Sequence, residues 1–374
     1  MGFRIFLSPP QMSGKEQDYV NEAFASNYIA PLGAFVNRLE EEMKLYTKSP
    51  YALALNSGTA ALHLALRVSG ITQGDYVLAS SFTFIGSIDA ILYQGAIPIF
   101  IDSDLESWNL NPKLLICAIE SSPKKPKALI VTHLYGQCAK IAEIAEICAQ
   151  YKILLIEDAA ESLGAFYAGK HSGSFGEYGV LSFNGNKIIT TSGGGLLLGQ
   201  DKEKIEKARY YSTQARENLP FYEHLDYGYN YRLSNICAAI GVGQLEQIEA
   251  KVAKRREIFA WYCEALKDEV ESQSIEFMPE IPNSRGNRWL TTLRFLEPAN
   301  PLTLVDLLAK EGIESRPLWK PMHLQPLFKD SLAFVDGTSQ RLFESGICLP
   351  SGGALEKRDI DEIASLIQKF LKNR

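Results

Sequence analysis

From about residue 51, short apolar runs alternate with longer amphipathic runs along the chain. The apolar runs are continuous, which is typical of strands whose two faces are both covered by helices. They predict strands at 51–56, 76–80, 97–101, 128–133, 153–158, 178–183 and 195–199, with helices at 59–68, 112–120, 140–150 and 201–212 and one that ends at Tyr93. This alternation of strands and helices predicts an α/β fold with an open, mostly parallel central sheet.

The pattern changes after a long helix-like segment at about 233–267. The region beyond it contains Pro279 and Pro282, a strand-like run at 289–295, a helix at 303–310 and a final helix with Ile360, Ile363, Ile367 and Phe370 on one face. We therefore predict a large domain at 1–249, which includes an N-terminal arm, and a smaller C-terminal α+β domain at 250–374.

Composition excludes several classes of protein. Of the 374 residues, 46% are hydrophobic and 22% charged, which is ordinary for a globular protein. The net charge of −6 argues against a nucleic-acid-binding protein, which would carry a basic face. The six cysteines form no CxxC pair and the five histidines do not cluster, so we expect reduced thiols and no metal site. Without a signal peptide or a membrane-spanning apolar run, a cytoplasmic location is expected.

Two residues suggest chemistry at the centre of the chain. Asp158 ends the predicted strand 153–158, and ligands of open α/β sheets bind beyond the carboxyl ends of the strands. A lone Asp here more often caps a helix, but it can also face a cationic ring nitrogen. Lys187 follows 29 residues later, in a turn rich in Gly, Ser and Thr. Such a lysine is either a solvated surface charge or a nucleophile next to a ligand.

Three other segments can surround a ligand. NSGTAALHLAL (56–66) joins a strand to a helix whose N-terminus suits a phosphate, although an ordinary N-cap explains it equally. SSFTFIGS (80–87) places Phe82 at a strand end, where it belongs either to the core or against a flat heteroaromatic ring. YGYNYRLSN (227–235) is either an interface hairpin or a cap, and a segment that merely caps does not explain Asn230. No Walker loop and no GxGxxG motif with a following acidic residue is found.

Together these segments resemble the DegT–StrS family of sugar-nucleotide aminotransferases, which have the aspartate-aminotransferase-like fold of the fold type I pyridoxal-5′-phosphate (PLP) enzymes. The resemblance runs from about residue 5 to the C-terminus. It rests on an ordered set of motifs: SNYIAPLG (26–33), NSGTAALHLAL, SSFTF, EDAAE (157–161), SFNGNKIITTSGGG (182–195) and YGYNYRLS.

The resemblance implies a role for each matching residue. Lys187 would bind PLP as a Schiff base and Asp158 would keep the pyridine nitrogen protonated. Phe82 would stack on the ring, and Gly58, Thr59 and Ser182 would bind the phosphate. Asn230 would reach the phosphate from the neighbouring subunit, which implies a homodimer with shared active sites. Glu161 lies where relatives often have Gln or His near O3′ of the cofactor, so its contact is open.

The resemblance also implies the reaction. L-glutamate would give its amino group to PLP and leave as 2-oxoglutarate, and the pyridoxamine 5′-phosphate formed would aminate C4 of a nucleotide-linked 4-keto-6-deoxy sugar. SNYIAPLG, THLYGQ (132–137), STQARE (212–217) and YEHLDYGYNYRLSN (222–235) most resemble enzymes of bacterial glycan pathways that act on UDP-2-acetamido-2,6-dideoxy-4-ketoglucose and form UDP-2-acetamido-4-amino-2,4,6-trideoxyglucose. The candidate substrate contacts are Tyr28, Arg232, Arg288, Trp289 and His323, each of which can equally be structural.

Three alternatives stay open at this point. The first is an aminotransferase that acts on a dTDP- or GDP-linked 3- or 4-keto sugar. The second is a pyridoxamine-dependent sugar dehydratase, but those relatives have histidine in place of the Schiff-base lysine, so Lys187 favours transamination. The third is a protein of this fold that binds a sugar nucleotide or regulates transcription without catalysis.

Overall fold

The computed structural model describes residues 2–372. The helices are α1 Lys15–Ala25, α2 Ala34–Thr47, α3 Gly58–Val68, α4 Gly86–Tyr93, α5 Pro112–Ser121, α6 Ile141–Tyr151, α7 Lys202–Ser212, α8 Asn235–Leu245, α9 Ile248–Ala265, α10 Lys267–Glu271, α11 Pro301–Lys310, α12 Thr338–Ser345 and α13 Lys357–Lys372. The strands are β1 Tyr51–Leu55, β2 Tyr76–Ser80, β3 Ile97–Ile101, β4 Ala128–Thr132, β5 Leu154–Asp158, β6 Phe166–Tyr167, β7 Lys170–His171, β8 Tyr178–Ser182, β9 Gly195–Gly199, β10 Ile275–Phe277, β11 Ser284–Arg285, β12 Thr291–Phe295, β13 Arg316–Pro317, β14 Ala333–Phe334 and β15 Gly346–Leu349.

The central sheet has eight strands in the order β1-β9-β8-β5-β4-β2-β3-β14. Its middle is parallel, and β9 runs antiparallel to both of its neighbours, β1 and β8. The seven predicted strands are confirmed to within one residue at each end. The short strand β14 was not predicted, and it adds a segment from the C-terminal third of the chain to the edge of the sheet.

Helices cover both faces of this sheet, which explains the continuous apolar strands. Val77 and Ala79 of β2 pack into one core with α3 and α4, whereas Leu78, between them, packs into a second core with α5 and α6. A third core joins β1, β8 and β9 to α1, α2 and α8. Successive side chains of a strand point to opposite faces, so a sheet buried on both sides needs apolar residues at every position.

A separate core lies in the C-terminal region. Strands β10, β12, β15 and β13 form an antiparallel four-stranded sheet, and α9, α11 and α13 pack against it. Ile5 also joins this core and pairs with Ile313, so the N-terminal arm runs back to the C-terminal region. The division at residues 249 and 250 remains a prediction, and residues 1, 373 and 374 of its ranges lie outside the described residues.

The predicted helix at 233–267 is two main helices, α8 and α9, followed by the short α10. The chain leaves helical geometry at Gln247, where φ is −107° and ψ is 9°. Helix α8 is buried between α1 and α2, whereas α9 turns toward the C-terminal core. No proline marks the change of direction, so tertiary packing decides it. Within residues 2–372, no helix is long and apolar enough to cross a membrane.

Candidate active site

A pocket of about 380 Å³ lies at the carboxyl ends of the central strands, beside the N-terminus of α3. This volume falls within the range of small-molecule sites. It is lined by six of the predicted cofactor residues and one predicted substrate residue, namely Gly58, Thr59, Asp158, Glu161, Ser182, Lys187 and Trp289. These residues come from positions 58 to 289 of the chain, and the fold brings them together.

One end of the pocket is a helix N-terminus. Ser57 is the N-cap of α3, and its hydroxyl oxygen accepts a hydrogen bond from the Ala60 N–H at 3.0 Å. The first N–H groups of an α-helix have no partner inside the helix, and the helix dipole makes this end positive. Gly58 and Thr59 head the helix, and Ser182 lies beside Gly58 at the end of β8. This arrangement can bind a phosphate.

Gly195 packs directly against the backbone of this turn. A Cβ atom at position 195 would lie 2.3 Å from the carbonyl carbon of Ser57 and 2.4 Å from the nitrogen of Gly58. Both are backbone atoms, which cannot move without displacing the turn. The glycine at the start of β9 therefore permits the strand to approach the head of α3 closely.

A chain of hydroxyl groups holds the carboxylate of Asp158 at the end of β5. The Ser87 hydroxyl donates to Oδ2 of Asp158 at 2.5 Å, and the N–H of Ala160 donates to Oδ1 at 3.1 Å. Thr83 connects Ser87 to Thr132 through hydroxyl contacts of 3.1 and 2.8 Å. Asp158 is buried but lines the pocket. It can therefore present a fixed, dry carboxylate to a cationic group of a ligand.

Lys187 enters the pocket from the turn between β8 and β9. Its side chain is only 11% exposed, and its Nζ lies 3.3 Å from Oε1 of Glu161, whose side chain is 3% exposed. The other oxygen of Glu161 accepts the N–H of Tyr135 at 2.7 Å. Burial raises the pKa of the Glu161 carboxyl above its ordinary value, while the Lys187 charge and the Tyr135 N–H oppose this shift. The pocket thus contains a shielded amine beside a buried carboxyl.

The structure places Phe84, rather than Phe82, at the wall of the pocket. Phe82 is 2% exposed and packs in an interior cluster, edge-on to Tyr135. Phe84 is 58% exposed and lines the pocket beside Gly86. Residues two apart in an irregular turn need not face the same way, so the SSFTF motif alone did not distinguish these two rings.

Asn230 lies outside the pocket of its own chain. Tyr229 and Tyr231 stack at 4.9 Å and both pack against His63 of α3, so Asn230 between them is exposed on the other side of the segment. The backbone carbonyl of Asn230 accepts from the side-chain amide of Asn56 at 3.1 Å. Asn56 lines the pocket, so the exposed segment lies at its rim.

The predicted substrate residues are spread more widely. Only Trp289 lines the pocket. Tyr28 is exposed and Arg232 is half-buried, next to the end of β1.

Arg288 is buried away from the pocket, where it donates to the Met278 carbonyl at 2.9 Å and stacks on Phe259. His323 contacts the hydroxyl of Ser81, the residue after β2, at 2.6 Å and does not line the pocket.

Several residues of the site were missed by sequence analysis. Phe84, Thr132 and Trp319 line the pocket, and Ser87 and Tyr135 orient groups within it. A weak signal exists for Thr132, because it ends an apolar strand in the same way that Asp158 does. Tyr135 lies in the THLYGQ motif, but nothing in that motif indicates that its N–H, on a left-handed backbone (φ 52°), donates to Glu161.

Comparison with known proteins assigns a family to this architecture. A family model described as the DegT/DnrJ/EryC1/StrS aminotransferase family matches residues 10–368. The chain is 48% identical, over 98% of its length and 95% of the relative's, to the "Putative pyridoxal phosphate-dependent aminotransferase EpsN" of Bacillus subtilis. It is 35% identical to the GDP-perosamine synthase of Caulobacter vibrioides, over 98% of each chain.

A solved structure gives the same result. The DegT DnrJ EryC1 StrS aminotransferase of Brucella abortus superposes with a TM-score of 0.88 and 28% identity, over 95% of each chain. The aspartate-aminotransferase-like fold expected from the motifs is therefore confirmed, as are the cofactor class and the enzyme class.

Proposed function

Because this chain belongs to the DegT/DnrJ/EryC1/StrS aminotransferase family, a family of PLP-dependent sugar aminotransferases, we propose that Lys187 binds the cofactor covalently. We further propose that Asp158 faces the ring nitrogen and that the Gly58–Thr59 turn and Ser182 hold the phosphate. The observation that carries this assignment is that one pocket contains all of these groups.

The donor set suits PLP at both of its ends. The head of α3 offers N–H groups and a positive dipole to a dianionic phosphate. The fixed carboxylate of Asp158 suits a protonated pyridine nitrogen. Lys187 is the amine that lines the same pocket, and Phe84 offers a flat face in the role that the motifs suggested for Phe82.

When bound, PLP supplies an electron sink that stabilises negative charge on the carbon next to the transferred nitrogen. The chain supplies the rest. Asp158 keeps the ring nitrogen charged, and the hydroxyl groups of Ser87, Thr83 and Thr132 keep Asp158 in place. The Nζ of Lys187 moves a proton between the cofactor's C4′ and the carbon that gives or receives the amine. The buried walls exclude water from this transfer.

For the substrates, the sequence motifs support L-glutamate as donor and UDP-2-acetamido-2,6-dideoxy-4-ketoglucose as acceptor. The test is an absorbance spectrum of the purified enzyme with PLP, recorded before and after L-glutamate and again after the keto sugar. We expect a visible band that glutamate bleaches and the sugar restores. Bleaching without recovery would discard this sugar, and the absence of any visible band would discard the Lys187 assignment.

A GDP-linked 4-keto sugar is the second candidate. Three GDP-perosamine synthases are 32 to 35% identical to this chain over at least 96% of its length, which supports this alternative. The same spectral assay distinguishes the two, because one aliquot of glutamate-bleached enzyme can be offered the UDP sugar and another the GDP sugar. The nucleotide that restores the band faster identifies the substrate class.

We also propose that the active unit is a homodimer in which Asn230 completes the phosphate site of the partner. Two segments of the chain expose large apolar side chains, namely Tyr28, Ile29 and Leu32 in one and Phe221, Tyr222, Leu225 and Tyr227 in the other. Exposed apolar side chains grouped in this way are typical of a protein–protein interface. Asn230 lies in the same exposed segment as Tyr227.

Mixed dimers test this arrangement directly. Lys187→Ala and Asn230→Ala chains would each be impaired alone, for different reasons. In a mixed dimer, one site combines an intact Lys187 with an intact Asn230 of the other chain. Random mixing should therefore restore about a quarter of the wild-type sites. No recovery in a preparation shown to contain mixed dimers would mean that Asn230 acts within its own chain or not at all.

A further inference from the structure

The amine of Lys187 is held between two different groups. On one side is the carboxyl of Glu161, 3.3 Å from Nζ, and on the other is the ring of Trp289, whose centroid lies 4.3 Å from Nζ. A carboxylate and an aromatic face both attract an ammonium group, and the aromatic contact strengthens where water is excluded. Trp289 is buried, so bulk water is largely excluded from the contact between its ring and the lysine.

Each of these two groups is fixed by backbone. The N–H of Tyr135 donates to the second oxygen of Glu161 at 2.7 Å, which leaves Oε1 to face the lysine. The indole N–H of Trp289 donates to the carbonyl of Asn186 at 2.7 Å. Asn186 precedes Lys187 directly, so Trp289 holds both the backbone and the side-chain end of the lysine.

Asn287 connects the two sides. Its Oδ1 accepts the backbone N–H of Trp289 at 2.7 Å, and its Nδ2 donates to the carbonyls of Glu161 and Leu163, each at 2.9 Å. Asn287 is fully buried, and both ends of its amide are used. The buried guanidinium of Arg255 also donates to the Trp289 carbonyl at 3.0 Å. The spacing between the carboxyl and the ring is therefore set by hydrogen bonds from both sides.

This geometry matters when the lysine is free. During transamination the cofactor carries the transferred amine for part of each cycle, and Lys187 is then an unattached amine that must remain in reach. We propose that Glu161 and Trp289 form a holding site for the free ammonium group of Lys187. The proposal rests on the assignment of Lys187 made above, and it gives Trp289 a role other than substrate contact.

Chemical labelling of the pyridoxamine 5′-phosphate form measures this holding directly. In that form Lys187 is free, and its acylation by an N-hydroxysuccinimide ester can be followed by peptide mass spectrometry. Trp289→Leu and Glu161→Gln should each label Lys187 about 10-fold faster than wild type, because one side of the holding site is lost. Trp289→Phe retains an aromatic face and should stay closer to wild type. Labelling of the exposed Lys202 serves as the internal reference.

A second readout separates positioning from general loss of structure. The affinity for pyridoxamine 5′-phosphate should change less than twofold in Trp289→Leu, since Lys187 does not bind this form covalently and Trp289 is assigned to the lysine rather than to the cofactor. Equal labelling of Lys187 in wild type and in both Trp289→Leu and Glu161→Gln would overturn the proposal. So would faster labelling in Trp289→Leu that parallels a loss of pyridoxamine 5′-phosphate affinity. Neither result would contradict the proposal that Lys187 binds the cofactor covalently, which the visible band with PLP tests separately.

Discussion

The proposed phosphate end of the pocket is mainly one turn of backbone, whereas the lysine side is assembled from side chains that are far apart in the chain. Ser57, Gly58 and Thr59 follow one another at the head of α3. Glu161, Lys187 and Trp289 come from three separate segments and are joined through Asn287 and the N–H of Tyr135. A phosphate needs only N–H groups and a positive dipole, which any helix start provides. An amine that is free for part of the cycle needs a carboxyl group and an aromatic ring at fixed positions around it, and only tertiary contacts bring such side chains together.

The largest effect is expected at Lys187 itself. Lys187→Ala should lower amino transfer by more than about 10³-fold, because the group that moves the proton is lost. The visible absorbance with PLP should also disappear, while the phosphate end should still bind PLP noncovalently. The matched control is the exposed Lys152→Ala, which should behave as wild type. Retained turnover in Lys187→Ala would show that Lys187 is not the group that moves the proton.

Asp158 should show the next largest effect. Asp158→Asn retains the shape and the Ser87 contact but loses the charge opposite the ring nitrogen, so turnover should fall about 10²-fold, as for other preorganised electrostatic contacts. Ser87→Ala retains the charge and loses only one donor, so its effect should be several-fold smaller. Steady-state rates with saturating PLP make this comparison. Similar losses in both variants would mean that orientation, not charge, is what Asp158 contributes.

The phosphate end should respond to backbone displacement. Gly195→Ala places a methyl group against the backbone of Ser57 and Gly58, so PLP affinity should fall by about 10- to 100-fold through overpacking. Gly185→Ala is the matched control, because a Cβ there comes no closer than 4.0 Å to another atom, the Ser192 carbonyl oxygen, and Gly185 does not line the pocket. Affinity is measured by titrating cofactor-free protein with PLP. Equal affinities in the two variants would contradict a phosphate end built from this turn.

The stability of the folded chain should depend on pH through His171. Burial lowers the pKa of His171 to about 4, and its Nε2 accepts the N–H of Gly164 at 3.0 Å, a bond that the protonated ring cannot make. The folded state therefore holds His171 neutral, whereas the unfolded chain takes up a proton below the ordinary value of 6.5. Stability is present above pH 6.5 and is lost as the pH falls toward 4.

This residue alone should lower the free energy of unfolding by about 2 kcal/mol between pH 7 and pH 5. Denaturant unfolding at the two pH values measures it, with His171→Gln as the variant that removes the titrating group but retains an acceptor. The wild type should lose more stability than the variant over this interval, and the two should run parallel above pH 7. Parallel behaviour throughout would show that His171 is not held neutral.

The sequence was informative wherever a local rule applies. Continuous apolar runs located every strand of the parallel core, and the order of the motifs located Asp158, Lys187 and the head of α3. The sequence was less informative where a local pattern is compatible with two different structures. Phe82 and Phe84 are both aromatic and two residues apart, and the fold buries the first and exposes the second. The helical pattern likewise continues through Gln247, although the chain bends there between two cores.

By itself, the sequence determined the α/β architecture and the family, and it indicated the residues that we propose contact the two ends of the cofactor, because strand burial, helix starts and ordered motifs are properties of short segments. The tertiary structure decided that Glu161 faces Lys187, that Trp289 covers the lysine, and that Asn287 ties the two together. It also decided that β14 joins the large sheet. These contacts join segments far apart in the chain, and their geometry depends on how buried layers pack rather than on any pattern within one segment.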